Sequence, residues 1–113
     1  MRTLEQWTEI CNLLHRLGVT ENYTGFSHTA YAVRLCVNQP ERLLLVTKLV
    51  YPEVAKRYQT NWKAVERNLR TVGRRIWERR RAQLEQLAGE ALLRKPGTAY
   101  LLTILTREMQ QYI

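Results

Sequence analysis

With 45% apolar and 25% charged residues, this chain of 113 residues can form one packed domain, and the composition excludes a disordered or collagen-like protein. The net charge of +8 favours polyanionic partners. No apolar run reaches the roughly 18 residues that span a bilayer, and the N-terminus lacks a signal-peptide core. We therefore expect one cytoplasmic domain over residues 1–113 that does not enter a membrane.

The residue types that catalysis and metal binding require are scarce. All ten acidic residues are Glu, and the two histidines lie far from each other in the sequence. Cys11 and Cys36 lie among apolar neighbours without the spacing of a metal pair, which favours buried free thiols. No carboxylate pair or catalytic triad is visible. We predict no enzyme, no metal, no cofactor and no small-molecule substrate.

The first two predicted helices cover residues 3–17 and about 27–36. Thr3 and Gln6 have the spacing of a capping box, and Gly18 supplies a left-handed stop. Turn-forming residues at 19–25 predict a loop between the helices. The residues expected to face the core are Leu4, Trp7, Ile10, Cys11, Leu14 and Leu17 in the first helix, and Ala30, Val33 and Val37 on the second.

A third helix is predicted from Pro40 to Tyr51. It is apolar on several sides, which is typical of a helix at the centre of a core. Alternating β-branched runs are absent from the sequence, so we predict an all-α fold of about six helices without a sheet or wing.

The next stretch, from Tyr51 to Trp77, predicts a short helix, a break and a longer helix. Pro52 suits a first helical turn, and the break falls at residues 59–61, where Thr60 or Asn61 can cap the following helix. Along residues 61–77 two faces alternate at helical spacing. The apolar face holds Trp62, Val65, Leu69, Val72 and Ile76, and the opposite face holds Lys63, Arg67, Arg70, Thr71 and Arg74. A helix-turn-helix at about 52–77 has this plan, and its second helix enters the major groove of DNA.

The positive charge is concentrated on and just after that second helix. Residues 56–81 hold ten basic and two acidic residues, and the rest of the chain is neutral. A solvated helix face usually mixes charge signs, whereas this segment is nearly single-signed. The pattern favours nucleic acid as the binding partner. The alternative interpretation is a helix face that is simply exposed to solvent.

After Trp77 the sequence remains favourable to helix. Leu84, Leu87 and Leu92 continue an apolar seam, interrupted at Gly89. Pro96 and Gly97 predict a turn, and Thr98 is a candidate cap for a last helix. The apolar stripe of that helix holds Leu101, Leu102, Leu105 and Met109, with Ile104 close by.

The segment TKLVYPEVAKRYQTNWKAVERNLR resembles the C-terminal effector domain of the stage-zero sporulation response regulator family. LHRLGV and the glycine of YTGF are similar to the opening of that domain. The matching positions include Thr47, Lys48, Tyr51 and Pro52 of a TK-x-x-YP signature, Ala55 and Lys56, Val65, Glu66, Arg67 and Arg70, and Lys95 with Pro96.

The resemblance implies a helical DNA-binding transcription regulator that acts as a homodimer or tandem pair through its last helix. By position, Glu66, Arg67 and Arg70 correspond to residues of the family that face the major groove. Two positions depart from the pattern: Ala64 replaces a base-reading Arg, and Thr71 replaces the usual His. The chain begins at the first effector helix and has no aspartate, so we expect no phosphorylated receiver domain within it.

Nine residues are the candidate DNA contacts. Arg67 lies nearest the centre of the polar face, where a guanidinium can bind guanine through two hydrogen bonds. Glu66 either accepts from a cytosine amino group or orients Arg70 as an i,i+4 pair. For the run at residues 79–81 we favour solvent over phosphate contact. The base-contacting candidates are Glu66, Arg67, Arg70, Thr71 and Arg74, and the phosphate-contacting candidates are Lys48, Lys56, Lys63 and Arg75.

Two other functions remain open. The altered positions Ala64 and Thr71 are compatible with an interaction protein that pairs with a full-length regulator without reading DNA. A general nucleic-acid binder that uses charge alone is the other rival, and it would bind random duplexes equally with a steep salt dependence.

Overall fold

The computed structural model describes residues 3–111, which contain α-helices, one 3₁₀ helix and no strand. The all-α prediction is therefore confirmed. None of these helices is both long and apolar enough to cross a bilayer. The elements are α1 (Thr3–Arg16), α2 (Thr24–Asn38), the 3₁₀ helix η1 (Pro40–Leu45), α3 (Val46–Leu49), α4 (Tyr51–Arg57), α5 (Trp62–Arg79), α6 (Arg81–Ala88) and α7 (Thr98–Gln110).

The central element is α2, which packs against α1, α4, α5, α7 and η1. Its predicted inward residues, Ala30, Val33 and Val37, are buried. The helix begins at Thr24 and not near residue 27. Gly25 therefore lies in the first turn of α2, where a Cβ would lie 2.6 Å from both the Asn68 carbonyl oxygen and Val72 Cγ2 of α5. This glycine therefore allows a close helix contact and does not belong to a loop.

The prediction of one central helix over residues 40–51 is wrong. This stretch is divided into η1 and the single-turn helix α3, and η1 has no buried residue. Leu44 and Leu45 are 81% and 57% exposed. The segment is divided because Leu45 has φ −148° and ψ 71°, which are not helical angles and interrupt the helix.

The first helix differs in detail from its prediction. It ends at Arg16, and Gly18 has the expected left-handed backbone with φ 83°. Gln6 is buried and donates to Asn38 Oδ1 at 2.8 Å, so its side chain joins α1 to α2 and does not form a capping box. The side chain of Thr3 lies outside the described part of the chain. Ile10, Leu14 and Leu17 are buried as predicted, Trp7 and Cys11 are partly buried, and Leu4 is exposed.

The C-terminal segment completes the core. Gly89 ends α6 with φ 79°, and Leu84 and Leu92 are buried. The predicted cap by Thr98 is wrong: Gly97 is the N-cap, and Thr98 Oγ1 instead bonds the Tyr51 hydroxyl at 2.6 Å. This bond joins the starts of α7 and α4. The four residues of the predicted α7 stripe are buried, and so is Ile104 beside them.

The cysteines are free thiols, as predicted. Cys36 is fully buried, and burial raises the pKa of its thiol to about 11. Cys11 is half-buried, and burial likewise raises its pKa. Both thiols are therefore protonated near neutral pH, which makes them poor nucleophiles and poor metal ligands.

Candidate nucleic-acid interface

A tight turn joins α4 to α5. The backbone of Gln59 is left-handed with φ 56°, and the Thr60 N–H donates to the Ala55 carbonyl oxygen at 2.9 Å. This is the Schellman arrangement that ends many helices, and its left-handed position is usually a glycine. Asn61 then caps α5, since its Oδ1 accepts from the Ala64 N–H at 2.9 Å. These contacts fix where α5 begins relative to α4.

The buried side of α5 holds this helix on the core. Val65, Leu69, Val72 and Ile76 are at most 2% exposed. The helix packs on α2, α4 and α7. Trp62, predicted for the same stripe, is instead 40% exposed, because it occupies the first turn beyond the edge of the core.

The opposite side of α5 carries exposed positive charge. Lys63, Arg67, Arg70 and Arg74 are exposed, and they follow one another at three- and four-residue steps. Within residues 3–111, no carboxylate lies within ion-pair distance of Lys63, Arg67 or Arg74. Arg70 Nη2 lies 3.5 Å from Glu66 Oε1 as an i,i+4 ion pair. This is the second of the two roles considered for Glu66, in which it orients Arg70. We call Lys63, Arg67, Arg70 and Arg74 the outer-face cations.

The last base-contacting candidate, Thr71, is half-buried beside these cations. Its hydroxyl donates to the Arg67 carbonyl oxygen at 3.1 Å. With its proton committed, this hydroxyl can offer only acceptor lone pairs to a ligand. Thr71 therefore differs chemically from the histidine that usually occupies this position in the resembling family.

The four phosphate-contacting candidates do not share one environment. Lys48 lies on α3 and Lys56 on α4, and both are exposed, as is Lys63. Arg75 is half-buried, and its Nε donates to the Gly18 carbonyl oxygen at 3.0 Å. Its guanidinium carbon also lies 4.6 Å from the centre of the Tyr23 ring. The structure thus attaches Arg75 to the loop between α1 and α2.

One residue that positions α5 was not predicted. Asn68 is half-buried, and its Nδ2 donates to Nδ1 of the buried His28 at 3.3 Å. Burial lowers the pKa of His28, which keeps the ring neutral and able to accept this bond near neutral pH. The sequence contains no signal for the pair, because the two residues lie 40 positions apart.

The basic run at residues 79–81 is only partly a solvated segment. Arg79 is exposed, as expected. The guanidinium of Arg81 lies 4.1 Å from the centre of the Trp77 ring, and its Nη2 donates to the Leu92 carbonyl oxygen at 2.6 Å. Trp77 is half-buried beneath it, which agrees with a packing role for this aromatic residue.

Comparison with known families agrees with this architecture. The family model described as "Sporulation initiation factor Spo0A C terminal" matches residues 10–109, which include α4, the turn and α5. The family is a helical DNA-binding domain of transcription regulators and not a catalytic family. The resemblance inferred from the TK-x-x-YP signature is confirmed, and the chain belongs to the Spo0A C-terminal family of DNA-binding domains.

Proposed function

We propose that this chain is a sequence-specific transcription regulator that inserts α5 into the major groove of duplex DNA. The proposal rests on one observation: the outer-face cations form an exposed row on α5, and the opposite side of the same helix is buried in the core. An α-helix with its side chains is about 10–12 Å in diameter, close to the groove width of about 12 Å. The side chains of this row can therefore reach base edges while the core remains intact.

The proposal divides the contacts by position on α5. Arg67 and Arg74 lie on the middle of the outer face and are assigned to bases, together with Arg70, Glu66 and Thr71. Lys48, Lys56 and Lys63 are assigned to phosphates, which set the register of the domain without reading sequence. Arg75 can contact a phosphate only through the N–H groups that the Gly18 carbonyl does not use.

Family membership supports two further parts of the proposal. Members can bind tandem DNA sites as pairs through the last helix, and we extend this arrangement to α7 of this chain. We also place the protein in the cytoplasm, where a bacterial regulator meets its promoters. The test of pairing is the symmetry and spacing of the half-sites in a selected DNA sequence.

Selection of binding sites from a random duplex library at moderate salt tests the central claim. We expect an enriched motif whose binding is at least about 10³-fold tighter than that of scrambled duplexes, the lower end for specific binders. Equal affinity for all duplexes, with steep salt dependence, would show a binder that uses charge alone.

A second candidate function follows from Ala64 and Thr71. Ala64 offers no donor where the resembling family has a base-reading arginine, and the Thr71 hydroxyl donates to Arg67. A chain weakened at these positions could pair with a full-length regulator of the family and remove it from DNA. Formation of such a complex, combined with no enriched motif in the selection, would favour this function over ours.

A further inference from the structure

A cleft of about 440 Å³ lies between α1, α2 and α4, and the described residues that line it include none that we assign to DNA. An adjoining hollow of about 430 Å³ shares three of its residues, so that the two form one elongated depression along α2. We call it the arginine–aromatic cleft. Its lining residues are Leu4, Trp7, Tyr31, Arg34, Arg57 and Tyr58, and the adjoining hollow adds Leu35 and Asn38.

Two guanidinium groups lie over the aromatic rings of this cleft. The Arg34 guanidinium carbon is 6.0 Å from the centre of the Trp7 ring. Arg57 lies 5.8 Å from the Tyr31 ring and 5.9 Å from the Tyr58 ring. The two tyrosine rings meet edge to face, with centres 6.0 Å apart. These distances are close to the outer limit of about 6 Å for a cation–π contact. Neither guanidinium donates a hydrogen bond to another residue of the described chain, so the N–H groups of both can bind a ligand.

The cleft combines positive charge with an unfilled apolar surface. Among the described residues that line the two hollows there is no acidic side chain. Leu4 is 77% exposed at the rim, and Trp7 and Tyr31 are half-buried in the wall. A planar guanidinium binds a carboxylate through two parallel hydrogen bonds, and an apolar side chain can cover Leu4 and Trp7 at the same time. The lining is therefore complementary to a carboxylate beside an apolar group.

We propose that the arginine–aromatic cleft is a docking site for an acidic peptide segment of a partner protein, in which carboxylates flank an apolar anchor. The carboxylates bind Arg34 and Arg57, and the anchor packs on Leu4 and Trp7. The elongated shape along α2 suits a peptide better than a compact ligand. Nucleic acid fits less well, because a guanidinium already lies about 6 Å over each ring on which a base would stack.

The test is selection of displayed random short peptides on the full chain, with counter-selection on the double variant Arg34→Gln/Arg57→Gln. We expect enrichment of Asp or Glu next to aromatic or aliphatic residues. The best peptide is then synthesised and its Kd measured by fluorescence anisotropy. The double variant should weaken binding by about tenfold or more, since each lost charge-assisted hydrogen bond contributes to affinity.

The matched control is Arg67→Gln/Arg74→Gln, which removes the same charge from α5. It should leave the Kd for the peptide within about twofold, because neither Arg67 nor Arg74 lines the cleft. Leu4→Ser should also weaken peptide binding, because it removes the apolar contact for the anchor. The position is exposed, so the substitution leaves the core intact. The proposal is overturned if no acidic motif is enriched or if the control weakens binding equally. The proposal is also overturned if Arg34→Gln/Arg57→Gln lowers the affinity for duplex DNA as much as the control does. That result would make the cleft part of the nucleic-acid surface.

Discussion

Two groups of arginines in the same basic segment have opposite surroundings. Arg67 and Arg74 of the outer face extend from α5 with no carboxylate of residues 3–111 within ion-pair distance. Arg75 and Arg81 donate to the backbone carbonyls of Gly18 and Leu92 and stack on Tyr23 and Trp77. We call this second pair the anchored arginines. They bind loops that flank α5, whereas the outer-face cations remain available to a ligand.

The comparison shows that the net charge of the segment overstates the number of basic side chains that are available to bind DNA. All ten basic residues of the segment contribute equally to its net charge, but an anchored guanidinium gives up donors to the protein. The anchored arginines instead fix the loop between α1 and α2 and the segment after α6 against α5. The outer-face cations thus form the surface that we propose for DNA recognition, and the anchored arginines hold α5 against its neighbouring segments.

Arg67→Ala gives the largest effect expected on DNA binding. The binding free energy for the selected site should fall by roughly 1–3 kcal/mol, with relaxed preference at one base pair, because the bidentate guanine contact that we propose for Arg67 would be lost. Stability should be unchanged, since the side chain is exposed. Kd values for the selected site and single-base variants of it provide the measurement. Equal losses on every duplex would reassign Arg67 to a phosphate.

Arg81→Ala should act on stability and leave base preference unchanged. The free energy of unfolding should fall by about 1–2 kcal/mol, because the Leu92 hydrogen bond and the Trp77 contact are both lost. Urea unfolding followed by tryptophan fluorescence measures this change. The control is Arg79→Ala at an exposed neighbouring position, where we expect at most about 0.5 kcal/mol. An unchanged stability would place Arg81 with the outer-face cations.

Gln59→Gly tests the turn that fixes where α5 begins, and α5 carries or contacts both groups of arginines. A residue with a Cβ is strained at φ 56°, and glycine relieves that strain at some cost in chain entropy. We expect a net gain of about 0.5–1 kcal/mol in unfolding free energy with unchanged DNA affinity. Gln59→Ala, which keeps the Cβ, should show no gain. A destabilised glycine variant would mean that the Gln59 side chain itself stabilises the turn.

The smallest effect is expected from Lys63→Gln. The salt dependence of log Kd should decrease by about 0.9 unit, the value for one phosphate contact, while base preference stays the same. Arg16→Gln is the matched control, because it removes one exposed charge from α1, outside the proposed interface. If both variants change the slope equally, the effect is one of net charge and not of a contact.

The sequence predicted best those features that depend only on neighbouring residues, such as helix caps and the spacing of apolar residues along a helix. The cap of α5 was predicted to be Thr60 or Asn61, and it is Asn61. The apolar stripe of α5 repeats at helical spacing, and four of its five predicted residues are buried, with Trp62 as the exception. The sequence failed for η1 and α3, because a leucine-rich run predicts burial but does not reveal that the backbone turns out of the helix at Leu45. Gly25 was assigned to a loop because the close approach of α5 depends on residues more than 40 positions away.

By itself, the sequence determined the helical class, the family, and the helix on which the positive charge lies, since periodicity and motif spacing are properties of neighbouring residues. Only the tertiary structure decided which arginines face outward and which are anchored. That distinction depends on partners such as Gly18, Tyr23 and Leu92, which the packing of distant segments brings to α5. The same packing formed the arginine–aromatic cleft from residues of α1, α2 and α4, none of which was singled out as a binding site by its local pattern.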